Sequence, residues 1–298
     1  MSNLPVIGFL GLGHMGLPMA INLHRAGYKL KGFDVVPAAV QAATDAGIET
    51  VDSGADAAKD VDIVLTMFPS GQHVLDAYRS YLLDAAAPNT LFLECSTIDV
   101  AQAREAAELA VAAGHRSADA PVSGGVVGAE AGTLTFMLGA EAADLAEITA
   151  VLEHMGKRIV HCGGHGSGQA AKICNNMLLG VSMIGAAEAF VLGERLGLEH
   201  QALYDVISTA SGQCWSVTTN CPVPGPVPAS PANRDYQPGF AAALMAKDLG
   251  LASSALEHTD TDARMGALAA ALYRKFSDEG NAGTDFSGII NAVREGTL

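Results

Sequence analysis

Short apolar runs alternate with longer alanine-rich stretches through the first half of the chain. Apolar runs of strand length predict β-strands, and the stretches of helical periodicity between them predict helices. The predicted strands cover residues 5–10, 28–34, 61–68, 90–95 and about 115–120, followed by 133–139 and 158–162 on either side of a helix at 142–156. This alternation predicts a parallel, doubly wound α/β sheet that extends to about residue 163.

The pattern changes after residue 163, because apolar positions then recur at helical spacing only. The predicted helices cover residues 169–196, 200–210, 241–257, 263–279 and 284–294. A long loop before residue 241 carries half of the chain's 12 prolines. A loop of this length inside a compact domain is functional or stiffened, and the prolines favour a stiffened loop. The second half is therefore predicted to be all α.

The first predicted strand runs directly into a glycine-rich segment. Its residues are candidate cofactor contacts: Gly11, Leu12, Gly13, His14, Met15 and Gly16. The first glycine permits a tight turn, the second permits close approach of the backbone to a pyrophosphate, and the third permits close packing of the following helix on the sheet. The phosphates then lie at a helix N-terminus, where the dipole favours negative charge. The alternative is a glycine-rich turn that binds nothing.

Asp34 follows the last of these glycines by 18 residues and ends the second apolar run. A carboxylate at this place accepts hydrogen bonds from the adenosine ribose hydroxyls and repels a 2′-phosphate. Val35, Val36 and Pro37 supply no arginine for such a phosphate. We therefore predict an NAD-binding, Rossmann-type doubly wound sheet domain over residues 1–164. An all-α substrate and dimerisation domain over residues 165–298 is expected to follow, joined to it by a long interdomain helix.

Composition and charge narrow the possible classes. With 298 residues, 49% of them hydrophobic, the chain is expected to fold into two domains. The net charge of −15 disfavours nucleic acid and anionic membrane surfaces as partners. Five cysteines without a CxxC pair indicate reduced thiols. The amino terminus shows no targeting segment and no uninterrupted apolar stretch approaches the length of a membrane span, so a cytoplasmic protein is expected.

Several kinds of chemistry are not indicated by any motif. The 9 histidines show no HExxH spacing and no cysteine pair completes a zinc site, so no metal site is predicted. There is no GxSxG elbow, and the glycine-rich segment lacks the Lys-Ser/Thr ending of a P-loop. Hydrolases and nucleoside triphosphatases are therefore disfavoured.

The segments after the predicted strands are the places to search for the site, because ligands bind outside the carboxyl ends of parallel strands. Phe68 and Pro69 are placed to pack against the adenosine or nicotinamide ribose, and Thr97 to donate a hydrogen bond to the ribose or the nicotinamide region. As single residues they are equally typical of ordinary turns.

A second strand exit carries the segment Ser123-Gly124-Gly125. A hydroxyl beside two glycines exposes successive backbone N–H groups that can cradle a carboxylate. The segment is therefore a candidate site for a substrate anion. A structural turn is the alternative.

Lys172 and Asn176 lie four residues apart near the start of the long predicted helix, so they share one face. A helix start disfavours a cation, and burial lowers the pKa of an ammonium, which makes a lysine usable as a proton acceptor near neutral pH. Asn176 is then placed to hold the reacting hydroxyl. A surface lysine beside a polar asparagine is the alternative interpretation.

Two further candidates lie later in the chain. Lys247 stands in an otherwise apolar helical stretch beside Asp248, and a surface ion pair explains that pattern equally well. Trp215, the single tryptophan, precedes the proline-rich loop and is placed either to wall a substrate pocket or to pack in the core.

Long ungapped motifs make the chain resemble the β-hydroxyacid dehydrogenase family over essentially its whole length. They are GFLGLGHMGLPMA at 8–20, DAPVSGGVVGAEAGTLTFMLG at 119–139, GSGQAAKICNNMLLGVSMIGAAEA at 166–189, SGQCWS at 211–216, NCPVPG at 220–225 and LMAKDLGLA at 244–252. The resemblance implies NAD-dependent oxidation of a small 3-hydroxy acid in a homo-oligomer, a dimer or a tetramer. The implied reaction converts 3-hydroxyisobutyrate to methylmalonate semialdehyde in valine breakdown, with L-serine or another short β-hydroxyacid as the alternative substrate.

The resemblance also implies roles for individual residues. Lys172 is the implied acid/base, Ser123 with the following glycine amides binds the substrate carboxylate, and Asn176 orients the substrate. Lys247 is implied to lie near the nicotinamide, with Asp248 beside it. The cofactor cleft is implied to be lined by Phe68, Pro69 and Thr97. The chain departs from relatives near the presumed substrate pocket at Gln213 and Thr219.

Overall fold

The computed structural model describes residues 4–298. They form two compact units, one ending at Lys172 and one beginning at Ile173. The strands all belong to the first unit: β1 Val6–Leu10, β2 Lys29–Phe33, β3 Glu49–Thr50, β4 Ile63–Thr66, β5 Leu91–Glu94, β6 Arg116–Asp119, β7 Val122–Ser123, β8 Leu134–Ala140 and β9 Gly156–Gly163.

The nine strands of the described chain form one sheet in the order β3-β2-β1-β4-β5-β6-β8-β7, and β9 pairs with β8. The first six strands of this order are parallel, whereas β8 is antiparallel to β6 and β7. The order 3-2-1-4-5-6 is that of a dinucleotide-binding doubly wound sheet. The predicted fold class is therefore confirmed, including the extension of the sheet to residue 163.

Helices lie between the strands of the first unit: α1 Gly16–Arg25, α2 Pro37–Asp45, α3 Gly54–Ala58, α4 Gly71–Ala77, α5 Leu83–Ala85, α6 Val100–Ala112, α7 Gly125–Ala131 and α8 Leu145–Leu152, with a π-helical turn at Tyr78–Leu82. The central strands are buried along their whole length, which explains why they are continuous apolar runs rather than alternating ones.

The second unit is helical: the last part of α9 Ser167–Arg195, then α10 His200–Ile207, α11 Trp215–Thr218, α12 Ala242–Thr259, α13 Arg264–Phe276 and α14 Ile289–Glu295, with 3-10 turns at Pro231–Arg234 and Phe286–Gly288 and a kinked π-helical segment at Ser277–Asn281. Helix α9 begins in the first unit and continues into the second, as predicted for a long connecting helix. The predicted helix 284–294 begins later, because the side chain of Asp285 accepts a hydrogen bond from the Ser287 amide and caps a 3-10 turn there.

The proline-rich loop before α12 is held by side-chain hydrogen bonds. Ser230 Oγ donates to the Cys221 carbonyl over 2.5 Å, and Tyr236 Oη donates to the Pro222 carbonyl over 2.9 Å. Asp285, which is buried, accepts from the backbone N–H groups of Gly239 and Phe240. The loop is thus fixed by these bonds as well as by its prolines, in agreement with the prediction of a stiffened loop.

Helix α9 corrects one expectation from the sequence. It has 29 residues and an apolar window with mean hydropathy 1.5, so by length and composition alone it is large enough to cross a membrane. Half of that window is buried inside the protein. The core helix of a globular protein has the same composition, so this feature alone is weak evidence for a membrane span.

Candidate active site

The glycine-rich segment connects β1 to α1 at the carboxyl edge of the parallel strands. Gly11 has φ of +93°, and a Cβ atom there would lie 2.2 Å from the Met67 carbonyl oxygen, so both the turn and the close approach of β4 require glycine. Gly13 is exposed, and no atom lies within 4 Å of the position that its Cβ would take. The backbone at Gly13 is therefore open to a phosphate at the start of α1.

Asp34 follows β2 at the same edge and is half-buried. Its Oδ2 accepts from the Leu12 N–H over 2.7 Å, and its Oδ1 accepts from the Val36 N–H over 2.8 Å. Each carboxylate oxygen retains acceptor capacity after one such bond. The structure therefore brings Asp34 to the glycine-rich segment with its carboxylate already oriented, as a site for ribose hydroxyls requires.

Phe68 and Thr97 lie on the exits of β4 and β5, the next strands along the sheet. A Cβ on Gly11 would stand 3.3 Å from Cδ1 of Phe68, so the phenyl ring borders the glycine-rich segment. The Phe68 N–H donates to Ser96 Oγ over 2.7 Å, which ties the two strand exits together. Thr97, the next residue, is half-buried and Pro69 is exposed. These features fit a bound dinucleotide across the sheet edge.

Lys172 is buried, with 6% of its surface exposed. Its Nζ donates to the carbonyl oxygen of Val122 over 2.7 Å. Val122 directly precedes the half-buried Ser123, and the next two residues, Gly124 and Gly125, have φ of +134° and +61°. The alternative of a surface lysine is thus excluded, and the structure brings Lys172 to the segment predicted to hold an anion.

Two further residues of the first unit, Asp119 and Gln169, are buried, and the sequence alone assigns no role to either one. Asp119 ends β6, and its Oδ1 and Oδ2 accept from the N–H groups of Gly166 (2.6 Å) and Gln169 (2.9 Å) at the start of α9. Desolvation raises the pKa of Asp119 above its usual value, and those two N–H groups oppose the rise. A carboxylate at a helix N-terminus also gains from the helix dipole. The signal available for Asp119 was its position near the end of a predicted strand.

The second unit places Asn176 on α9 and Asp248 on α12 within hydrogen-bond distance. Asn176 Nδ2 donates to Asp248 Oδ2 over 2.5 Å, and the two residues are 2% and 5% exposed. Lys247 is half-buried. Trp215 begins α11 with 50% of its surface exposed, so it is not the core residue of the alternative interpretation.

No group of three or more His, Cys, Asp and Glu side chains suited to a metal ion occurs among residues 4–298. The five cysteines form no disulfide. The open backbone at Gly13 and the oriented carboxylate of Asp34 fit a dinucleotide, so the edge of the sheet is a site for a nicotinamide cofactor.

Two family models cover almost the whole chain. One, described as the NAD binding domain of 6-phosphogluconate dehydrogenase, matches residues 6–164. The other, described as NAD-binding of NADP-dependent 3-hydroxyisobutyrate dehydrogenase, matches residues 166–293.

Individual relatives are similar over nearly their full length. A probable 3-hydroxyisobutyrate dehydrogenase of Mycobacterium tuberculosis is 51% identical over 288 residues, which are 97% of each chain. An NAD-dependent L-serine dehydrogenase of Pseudomonas aeruginosa is 48% identical, covering 94% of this chain and 95% of the relative. The solved structure of Mycobacterium tuberculosis 3-hydroxyisobutyrate dehydrogenase with L-serine is 51% identical with a TM-score of 0.96, covering 98% of this chain and 100% of that one.

The sheet, its cofactor edge and these matches define an oxidoreductase with NAD(P) as its cofactor. The chain belongs to the β-hydroxyacid dehydrogenase family, and 3-hydroxyisobutyrate dehydrogenases are among its similar relatives.

Proposed function

We propose that this enzyme oxidises 3-hydroxyisobutyrate to methylmalonate semialdehyde with NAD, as a cytoplasmic step of valine breakdown. The observation that carries the proposal is the hydrogen bond from Lys172 Nζ to the Val122 carbonyl, one residue before Ser123. This bond holds the amine next to a segment of hydroxyl and amide donors. In a small 3-hydroxy acid the carboxylate and the hydroxyl are separated by only two carbon–carbon bonds. The Ser123 segment and the Lys172 amine can therefore bind one such molecule together.

The residues of the first unit divide the chemistry between them. Ser123 and the amides of Gly124 and Gly125 bind the substrate carboxylate. Lys172, as the neutral amine, takes the proton of the substrate hydroxyl and passes it to solvent after turnover. NAD, when bound, supplies the acceptor for the hydride from the carbinol carbon. The hydrogen bond from Lys172 Nζ to the Val122 carbonyl limits the positions that the amine can take.

The preference for NAD over NADP is assigned to Asp34. Its carboxylate is held by the Leu12 and Val36 amides and meets the ribose hydroxyls, whereas a 2′-phosphate would meet a negative charge. The exposed residues that follow are apolar, and they offer a phosphate no cation.

We assign to Asn176 the orientation of the substrate hydroxyl. Its amide is fixed by the carboxylate of Asp248. We assign Lys247 to the nicotinamide side and Trp215 to the wall of the substrate pocket. The half-exposed indole suits this role, because an apolar surface is open to a ligand.

L-Serine is the second candidate substrate. It is favoured by the 48% identity to the L-serine dehydrogenase of Pseudomonas aeruginosa and by the L-serine in the complex of the Mycobacterium tuberculosis relative. The two substrates share the carboxylate and the primary hydroxyl, so the same residues act on either one.

The substitution Lys172→Ala tests the acid/base assignment. We expect kcat to fall by about 10²–10⁴-fold, the usual contribution of general acid–base catalysis. The Kd for NAD, measured by fluorescence titration, should be nearly unchanged because the cofactor contacts lie at other strand exits. Lys157→Ala, at an exposed position of β9, is the matched control and should keep full turnover. Wild-type turnover in Lys172→Ala would refute the assignment.

A further inference from the structure

Gln169 lies in the first turn of α9 and none of its surface is exposed. Its side-chain amide joins the helix to the exit of β5. Oε1 accepts from the Ile98 N–H over 3.1 Å, and Nε2 donates to the Ser96 carbonyl over 2.7 Å and to Glu94 Oε2 over 3.3 Å. This one amide thus binds the backbone of Ser96 and Ile98, the residues immediately before and after Thr97.

The backbone of Gln169 is fixed independently of its side chain. Its N–H donates to Asp119 Oδ2, and the adjacent Gly168 packs so closely that a Cβ there would lie 2.2 Å from the Met137 carbonyl oxygen. The first turn of α9 is therefore pressed against β6 and β8. The Gln169 side chain connects this anchored turn to the β5 exit through three hydrogen bonds.

Lys172 lies three residues after Gln169, so the two side chains point to the same side of the helix. Any shift of the first turn relative to the β5 exit displaces Lys172 as well. Buried polar groups that lose their partners are costly, because the surrounding dielectric is low. The side-chain amide of Gln169 therefore fixes the position of Lys172 relative to the segment that contains Thr97.

The chemistry explains why this residue is an amide. Nε2 faces a carbonyl and a carboxylate, which both need a donor, while Oε1 faces an N–H, which needs an acceptor. Glutamate has the same shape but lacks the donor, and it would set a second carboxylate against Glu94.

We propose that Gln169 is a positioning residue that sets the place of Lys172 relative to the Thr97 segment during hydride transfer. This inference rests on the proposed role of Lys172. It assigns Gln169 no contact with the substrate, and its effect is expected in the chemical step rather than in cofactor binding.

The test compares Gln169→Glu and Gln169→Asn with the control Gln237→Glu, whose position is exposed. The Asn variant keeps the amide but shortens the side chain by one methylene, so it provides a milder change if the Glu variant fails to fold. Turnover is normalised to the NAD-binding fraction found by fluorescence titration. We also measure the primary isotope effect on kcat with 3-hydroxyisobutyrate deuterated at the hydroxyl-bearing carbon.

We expect kcat per NAD-binding site to fall by about 10- to 100-fold in Gln169→Glu and less in Gln169→Asn, the scale of a small misplacement of a reacting group. The isotope effect should rise, because hydride transfer becomes more rate-limiting. The Kd for NAD should stay within about twofold, because Asp34 and the glycine-rich segment, which hold most of the cofactor, do not contact Gln169. An unchanged isotope effect, with activity lost only in proportion to the NAD-binding fraction, would show a purely structural role. Wild-type kcat in Gln169→Glu together with an inactive Lys172→Ala would overturn the inference alone, whereas an active Lys172→Ala would overturn the proposed function with it.

Discussion

Asp34 is oriented by the chain itself, because backbone N–H groups hold both of its carboxylate oxygens. Asp34→Ala should weaken NAD binding by about 1.5–3 kcal/mol, the range for hydrogen bonds to a charged group. NADP should gain relative to NAD, since the negative charge near the 2′-position is gone. Isothermal titration with both cofactors checks this, with the exposed Asp45→Ala as the control. An unchanged ratio of the two dissociation constants would count against the assignment.

Among single residues, the sequence predicts a functional role where the residue type is unusual for its local surroundings. Lys172 was recognisable because a lysine among apolar residues at a helix start is unusual. Gln169 was not, because an isolated glutamine in a helical pattern has the same appearance whether exposed or buried. Its partners are the β5 exit, 71 to 75 residues earlier, and local pattern carries no information on such contacts.

Among the elements, the last helix is tied to the end of α9 by an ion pair. Arg294 Nη2 donates to Glu194 Oε1 over 2.6 Å, and His200 Nε2 lies 2.7 Å from the same oxygen. The hydrogen bond from Arg294, more than the one from His200, lowers the pKa of Glu194 below its usual value, and burial opposes this. The pair therefore stabilises the fold above the unfolded-state pKa of Glu194, and this contribution is lost as the pH falls through the lower folded-state pKa.

Glu194→Gln should accordingly reduce the free energy of unfolding by about 1 kcal/mol at pH 7, because the pair is only partly buried and solvent screens it. The difference from the wild type should shrink as the pH is lowered below the usual carboxyl value of 4.5. Urea unfolding at several pH values measures this, with the exposed Glu257→Gln as the control. A difference that stays constant down to acid pH would rule out the ion pair as its source.

The sequence predicts those strands and helices that contain long apolar or periodic runs. It does not predict short strands or helix ends that depend on contacts with distant parts of the chain. Strand β3 was missed because its two residues show no period, and it exists through pairing with β2. Strand β7 was missed because it has only two residues, Val122 and Ser123, and forms by antiparallel pairing with β8. Strand β8 is also antiparallel to β6, and local sequence does not show either pairing. Helix α13 ends at Phe276, before the predicted residue 279, in a kinked segment where Gly280 has φ of +98°.

For the molecule as a whole, we propose a homo-oligomer that pairs through the exposed stripe of α9. Leu178, Gly185 and Leu192 recur at seven-residue intervals, and the two leucines are 66% and 60% exposed. Such spacing suits helix pairing.

Light scattering after size exclusion should give at least a dimer for the wild type and a smaller species for the double variant Leu178→Glu/Leu192→Glu. The control variant Val111→Glu, at an exposed position of α6, should have the same mass as the wild type. A monomeric wild type at micromolar concentration would contradict the proposal.

The identity of the substrate is the central claim of the proposed function. The sequence motifs do not determine it, because relatives named for different substrates share them. The decisive measurement is kcat/KM for NAD reduction with (S)- and (R)-3-hydroxyisobutyrate, L-serine and glycerate, repeated with NADP for the best of them. We predict that one enantiomer of 3-hydroxyisobutyrate with NAD exceeds L-serine by at least about tenfold, the lower end of what pocket contacts discriminate. A lead for L-serine or glycerate would contradict the proposed substrate, and no NADH formation with any of the four would contradict the proposed activity.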